Sequence, residues 1–121
     1  MKFLLLMAEE NHFANWETAD DAHHKRVYAD FRAFDEAVRS RGRVVGGEAL
    51  DRPSTARTVR PRPDRAGTDC PVTEGPFAET VEQVGGFYLI DVPDMDTAVE
   101  LAALLPREYT VEVRPTLEVE L

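Results

Sequence analysis

The chain has 121 residues, a formal net charge of −9, 43% hydrophobic residues and 31% charged ones. That length suits one domain around one hydrophobic core, folding without staples, and the acidity argues against non-specific binding to nucleic acid or anionic membrane. The lone Cys70 leaves no internal disulfide and fits a reducing compartment. Phe3-Leu4-Leu5-Leu6-Met7-Ala8 is apolar but is followed at once by Glu9 and Glu10. It is far short of the ~20 apolar residues of a membrane span and, behind Lys2 alone, makes a poor signal segment. Residues 2–8 therefore read as a buried first strand of a cytoplasmic protein. Asn11 to Trp16 holds two aromatics with no clear period and reads as irregular. Asp20 or Asp21 caps a helix running to about Arg41, with Val27, Phe31, Phe34 and Val38 on one stripe at helical spacing. Gly42 supplies a left-handed stop. Arg43-Val44-Val45 opens a second strand, and Gly46-Gly47 within it marks a bulge or a close backbone approach.

Residues 55–60 are strand-like; Pro61, Pro63 and Gly67 mark a returning loop; and residues 71–74 extend again before a Gly75-Pro76 turn. After Gly85-Gly86 comes the clearest strand, Phe87 to Val92. Asp94 or Asp96 caps a second helix with Ala98, Leu101, Ala102 and Leu105 on one face, and Pro106 ends it. Residues 109–115 alternate Val111 and Val113 with Glu112 and Arg114, a half-exposed last strand. The order β-α-β-hairpin-β-α-β predicts an α+β domain: a four-stranded antiparallel sheet with helices at residues 21–41 and 95–105 on one face. Strands as apolar as residues 2–8 and 87–92 are ill suited to solvent on either side. A homodimer paired through the sheet is therefore expected, burying more than about 1,200 Å².

Charge is unevenly laid out. Residues 38–65 hold eight arginines against three acids, and residues 66–121 hold two against twelve. The run Arg52, Arg57, Arg60, Arg62, Arg65 lacks interleaved aromatics and reads as a solvated ribbon beside an acidic neighbour, so no nucleic-acid partner is expected.

Thr73-Glu74-Gly75-Pro76-Phe77-Ala78-Glu79-Thr80, followed by Glu82-Gln83-Val84-Gly85-Gly86-Phe87-Tyr88-Leu89-Ile90-Asp91-Val92, resembles the signature of the YCII-related proteins, DGPF subgroup. Gly47-Glu48-Ala49-Leu50, Asp94-Met95-Asp96 and Val111-Glu112-Val113-Arg114-Pro115 match the same pattern. The resemblance implies a ferredoxin-like βαββαβ fold paired sheet to sheet as a dimeric α+β barrel. It implies no assigned activity for most members, a proposed catalytic His and Asp pair in some, and dehydrochlorination of a chlorinated hydroquinone in one relative. This chain departs from the pattern at Glu74, where Asp is usual, and at Val81, where Lys is usual. Registration from Gly42 puts Phe31 at the first-helix position where several relatives have His, so any proton transfer here must use another histidine or none.

His23 and His24 are neighbours, and on a helix they diverge by about 100°, so both cannot face one small site. His24, aligned with Tyr28 and Phe31, and Glu74, on the Gly-Pro turn, are the candidate acid–base residues. Trp16, Phe31, Glu79 and Tyr88 are the candidate ligand-binding walls of a pocket between sheet and helices. Each has a structural alternative: a packed helix-start histidine, a solvated turn acid, core aromatics. His12, His23 and His24 lack the spacing of a metal site, and Gly46-Gly47 and Gly85-Gly86 lack the strand-to-helix setting of a phosphate loop, so no metal or cofactor is expected. Two functional readings follow: a small-molecule-binding or enzyme-like dimer, and a non-catalytic regulatory or interaction module. The departures at Val81 and Phe31 favour the second, and the expected apolar pocket favours the first.

Overall fold

The computed structural model describes residues 1–61 and 70–121; the arginines at 62 and 65 and the loop markers Pro63 and Gly67 lie outside them. The main sheet is built from β1 (Lys2–Glu10), β2 (Arg43–Ala49), β5 (Glu82–Asp91) and β6 (Thr110–Pro115) in the order β2-β5-β1-β6, with every neighbouring pair antiparallel. Helices α1 (His12–Thr18), α2 (Asp21–Arg41) and α3 (Met95–Ala102) complete it. A separate two-stranded ribbon pairs β3 (Arg57–Val59) with β4 (Val72–Glu74), setting Arg57 opposite Glu74. This is the mixed α+β architecture with a four-stranded antiparallel sheet that the sequence implies, consistent with a ferredoxin-like fold.

The core follows from side-chain alternation along β1. Phe3, Leu5 and Met7 point to one face and are at most 6% exposed. They meet Phe34 and Val38 of α2, Ile90 of β5, and Ala98, Leu101 and Ala102 of α3 in one cluster. Both α2 and α3 thus cover the same face. Leu4 and Leu6, pointing the other way, pair in register with Leu89 and Phe87 and are only half-buried. Helix starts are set by aspartates: Asp20 accepts from the His23 amide at 2.8 Å, and Asp94 from the Thr97 amide at 2.8 Å. Gly42 closes α2 with its amide on the Val38 carbonyl, but in extended backbone (φ 176°) rather than the left-handed conformation expected; a Cβ there would meet the Asp91 carbonyl oxygen at 2.0 Å.

Three elements differ from the sequence-based expectation. Residues 12–18 form a helix rather than an irregular stretch, so there are three helices among the described residues. It starts from Asn11, which adopts a left-handed conformation (φ 53°), one of the few non-glycine residues that does so readily. The Asn11 amide is tied to the Val81 carbonyl at 3.0 Å. No residue of this helix is fully buried, so it has no core stripe to announce it. β5 begins at Glu82, five residues before Phe87, because Glu82, Gln83 and Val84 pair with Glu10, Glu9 and Ala8 of the polar end of β1. α3 ends at Ala102, and Leu105 reaches the core from the turn that follows.

Candidate functional site

Between the sheet and helices α1 and α2, with no residue of α3 in its lining, lies a cleft of about 480 Å³. Its walls come from β1 (Met7), α1 (His12, Phe13, Trp16), α2 (Val27, Tyr28, Phe31), β2 and β5 (Gly47, Gly85, Tyr88 among others) and Tyr109. The lining is aromatic for a sequence reason. The α2 stripe continues toward its N-terminus as Phe31 and Val27, α1 adds Phe13 and Trp16, and nothing at this end of α3 fills the space between them.

One imidazole in this aromatic lining, His12, is paired with a carboxylate outside it, Glu9. His12, the first residue of α1, sits three residues after Glu9, the penultimate residue of β1. The strand-to-helix turn brings His12 Nδ1 within 2.8 Å of Glu9 Oε1. Their side chains are 13% and 14% exposed, so water screens the pair little. The second Glu9 oxygen accepts from Asn15 Nδ2 at 3.1 Å, and the same nitrogen donates to the Glu10 carbonyl at 2.8 Å, which orients the carboxylate. A carboxylate on Nδ1 selects the tautomer with the proton on that nitrogen and leaves Nε2 with its lone pair free. The ring is held by an edge contact with Tyr109, centroids 5.6 Å apart, and another with Phe13 at 4.8 Å. It lies directly on Gly85: a Cβ there would come 2.4 Å from Nε2, so the bare backbone is a condition of this ring position. Gly85 is the extra residue where the pairing shifts, since Met7 faces Gly86 and Ala8 faces Val84.

Two of the phenols lining the cleft, Tyr109 and Tyr88, are pushed upward in pKa. Burial pushes Tyr109 up to about 12, helped by the negative charges of Glu9 and Glu108 against a smaller opposing pull from Arg26. Burial likewise raises Tyr88, with a lesser contribution from Asp35. Beside Tyr109 in sequence, Glu108 is bonded to Arg26 of α2, which also donates to Asp30 at 2.8 Å. The Arg26 hydrogen bond holds Glu108 below the usual carboxylate range. Glu108 Oε1 is fully buried with no hydrogen-bond partner among the described residues. Among the described residues no three His, Cys, Asp or Glu side chains come together as a metal site.

Of the residues singled out from sequence, Trp16, Phe31 and Tyr88 come together as walls of the cleft. Phe31 packs against the core, its ring 6.3 Å from Tyr88 and 6.1 Å from Tyr109. His24 stands behind that wall, near the entrance of α2. Its Nε2 lies 2.9 Å from the Trp16 carbonyl oxygen, to which it donates, and its ring stacks on the Trp16 indole at 4.0 Å. Glu74, on the ribbon, and Glu79, in the loop after it, are exposed and do not line the cleft. The pair that sequence reasoning missed is Glu9 and His12. The available signal was a carboxylate and an imidazole three residues apart where an apolar strand meets the following segment.

No helix among the described residues is long and apolar enough to cross a membrane. The chain is 32% identical over 116 residues to an uncharacterised protein of Rhizobium meliloti (strain 1021), covering 93% of this chain and 88% of that one. The family model of the YCII-related domain matches residues 1–119, and the chain therefore belongs to the YCII-related family.

Proposed function

We propose that this protein is a small-molecule-binding, enzyme-like member of the family whose cleft carries out proton transfer, with Glu9 orienting His12 and His12 Nε2 as the base. The observation that carries the reading is the 2.8 Å contact from His12 Nδ1 to Glu9 at the wall of an aromatic cleft of about 480 Å³. A pre-oriented imidazole beside a cavity large enough for a small organic molecule has the parts for general base catalysis. In this reading Trp16, Phe31 and Tyr88 are ligand walls. His24 positions Trp16 by stacking and by its hydrogen bond, and Glu74 and Glu79 serve the ribbon.

The proposal extends to the assembly and the subgroup. The half-buried Leu4, Leu6, Phe87 and Leu89 support a homodimer joined through the helix-free face of the sheet. Sedimentation at micromolar concentration should give twice 13.6 kDa, and a 13.6 kDa species would contradict it. Membership of the DGPF subgroup is supported by the Glu74-Gly75-Pro76-Phe77 turn, in which Gly75 takes a left-handed φ of 89°. An exposed, unpaired Cys70 fits a cytoplasmic location.

The test is a thermal-shift screen of neutral aromatic and aliphatic metabolites, since a ligand that binds only the folded state raises its stability by RT ln(1 + [L]/Kd). Stabilising compounds should lose at least about tenfold in affinity in Phe31→Ala, and their NMR footprint should fall on Phe31, Tyr88 and His12. Hits that map to the ribbon and ignore Phe31→Ala would favour the regulatory or interaction module instead.

A further inference from the structure

Of the three phenols that line the cleft, Tyr28 is exposed, and the half-buried Tyr88 and Tyr109 are the part that the acid–base pair leaves unused. Tyr109 lies edge-on to the His12 ring at 5.6 Å, and both line the same cavity. Its ring also lies 6.1 Å from Phe31. Neither phenolic oxygen is bonded to a described residue, and neither is sealed off as Glu108 Oε1 is. Both therefore retain a proton to donate to whatever enters. The described lining contains no lysine or arginine, and its one acid, Glu48, is exposed. An anion taken from water into such a cavity would lose its hydration without gaining a countercharge, so the resting ligand is neutral. A neutral ligand that accepts from a phenol while losing a proton to an imidazole has a defined chemistry: an oxygen acceptor conjugated to the atom that is deprotonated.

Resting on the reading above, we propose that the cleft takes a neutral carbonyl compound bearing an apolar or aromatic group, and that Tyr109 donates its hydroxyl hydrogen bond to the carbonyl oxygen. His12 Nε2 removes a proton from the adjacent carbon. The C–H bonding pair becomes the carbon–carbon π bond, and the carbonyl π pair moves onto oxygen, where Tyr109 stabilises the developing charge. Proton delivery from the His12 imidazolium completes the cycle with no oxidant or further reactant: to oxygen it gives the enol isomer, and to carbon, once the imidazolium has traded its proton with solvent, it gives hydrogen exchange. Tyr109 would be a catalytic residue here. Tyr88, packed on Phe31 and Phe34, would have the smaller role.

The experiment follows loss of the α-proton NMR signals of acetophenone and cyclohexanone in D₂O. Wild-type protein should exchange at least one of them faster than buffer, and His12→Gln should fall to the buffer rate. Tyr109→Phe should lose about 100-fold or more, the usual cost of removing one oxyanion donor, and Tyr88→Phe less than about tenfold. Because Tyr109→Phe keeps the ring, a melting temperature close to wild type shows that the fold is intact. Binding of 4-nitrophenol, an enolate mimic, gives a readout without turnover and should weaken at least about tenfold in Tyr109→Phe. Exchange lost in His12→Gln but unchanged in Tyr109→Phe would overturn the Tyr109 assignment and leave the base standing. No exchange of either ketone by wild type would overturn the carbonyl class, while the thermal-shift screen judges the ligand site separately.

Discussion

The helix–sheet interface has two ends built from the same strands, and they differ in what α3 does. At one end Phe3, Leu5, Phe34, Ile90 and Leu101 meet and are 2% exposed or less. At the other, Met7, Val27, Phe31, Tyr88 and Tyr109 belong to the same faces, yet they surround a cleft. The stripe on α2 is continuous across both ends; only the closed end has α3 above it. Residues of one apolar pattern thus become closed core or cleft wall according to whether a second helix arrives to cover them. The short α1 then brings to the open end a polar group, His12, that the closed end lacks.

The largest expected effect separates the two ends by stability. Phe34→Ala, at the closed end, should cost about 3–5 kcal/mol, a large share of the 5–15 kcal/mol typical of such a domain. Phe31→Ala, whose ring is only part-buried, should cost about 1–2 kcal/mol, while removing ligand affinity. Denaturant melts of both variants check this, and equal losses would mean that the open end is simply core.

Gly85→Ala sharpens the comparison from the other side. A Cβ 2.4 Å from His12 Nε2 must swing the ring away, so proton transfer should fall by about 10²-fold or more. The stability loss should stay near 1–2 kcal/mol, because a side chain and not the backbone gives way.

Stability should depend on pH through groups bordering the open end. Glu108 titrates below its ordinary range in the fold because of Arg26, so its stabilisation is fully present above the unfolded carboxylate value and fades as pH falls through the lower folded one. Tyr109 is raised to about 12; its contribution is present below the ordinary phenol value of about 10 and is lost as pH climbs from there to about 12. Melts of Tyr109→Phe should show a weaker alkaline decline than wild type, and those of Arg26→Met a weaker acid one. The smallest effect lies in the helix that closes the core: Asp94→Ala removes the cap on the Thr97 amide and should cost about 1 kcal/mol, with the cleft unchanged.

Sequence and structure agree where packing alone decides. The continuous apolar run of β1, the α2 stripe and the aspartate caps all carry local signals, and the elements of the sheet and helices follow from them. α1 carried no such signal, being seven residues long with no buried position. Its helicity depends on Asn11 and on contacts supplied by the rest of the chain, as expected for a helix too short to hold itself. Phe31 and Tyr88 were legible as packed positions because aromatic residues at core spacing announce burial, whereas Trp16 sits in a stretch without a period. The Glu9–His12 pair was not, because it depends on the turn from β1 into a helix that could not be foreseen. Gly85 read only as the approach to a strand; its place beneath an imidazole is a tertiary fact.

The most direct measurement is the tautomeric state of His12, read from its ¹⁵N side-chain resonances. The account predicts that at a pH where the ring is neutral the proton resides on Nδ1, facing Glu9. That preference should be lost in Glu9→Ala, and the Nε2 resonance should move when a ligand found by thermal shift is added. A neutral ring protonated on Nε2, or an Nε2 resonance indifferent to saturating ligand, would contradict it.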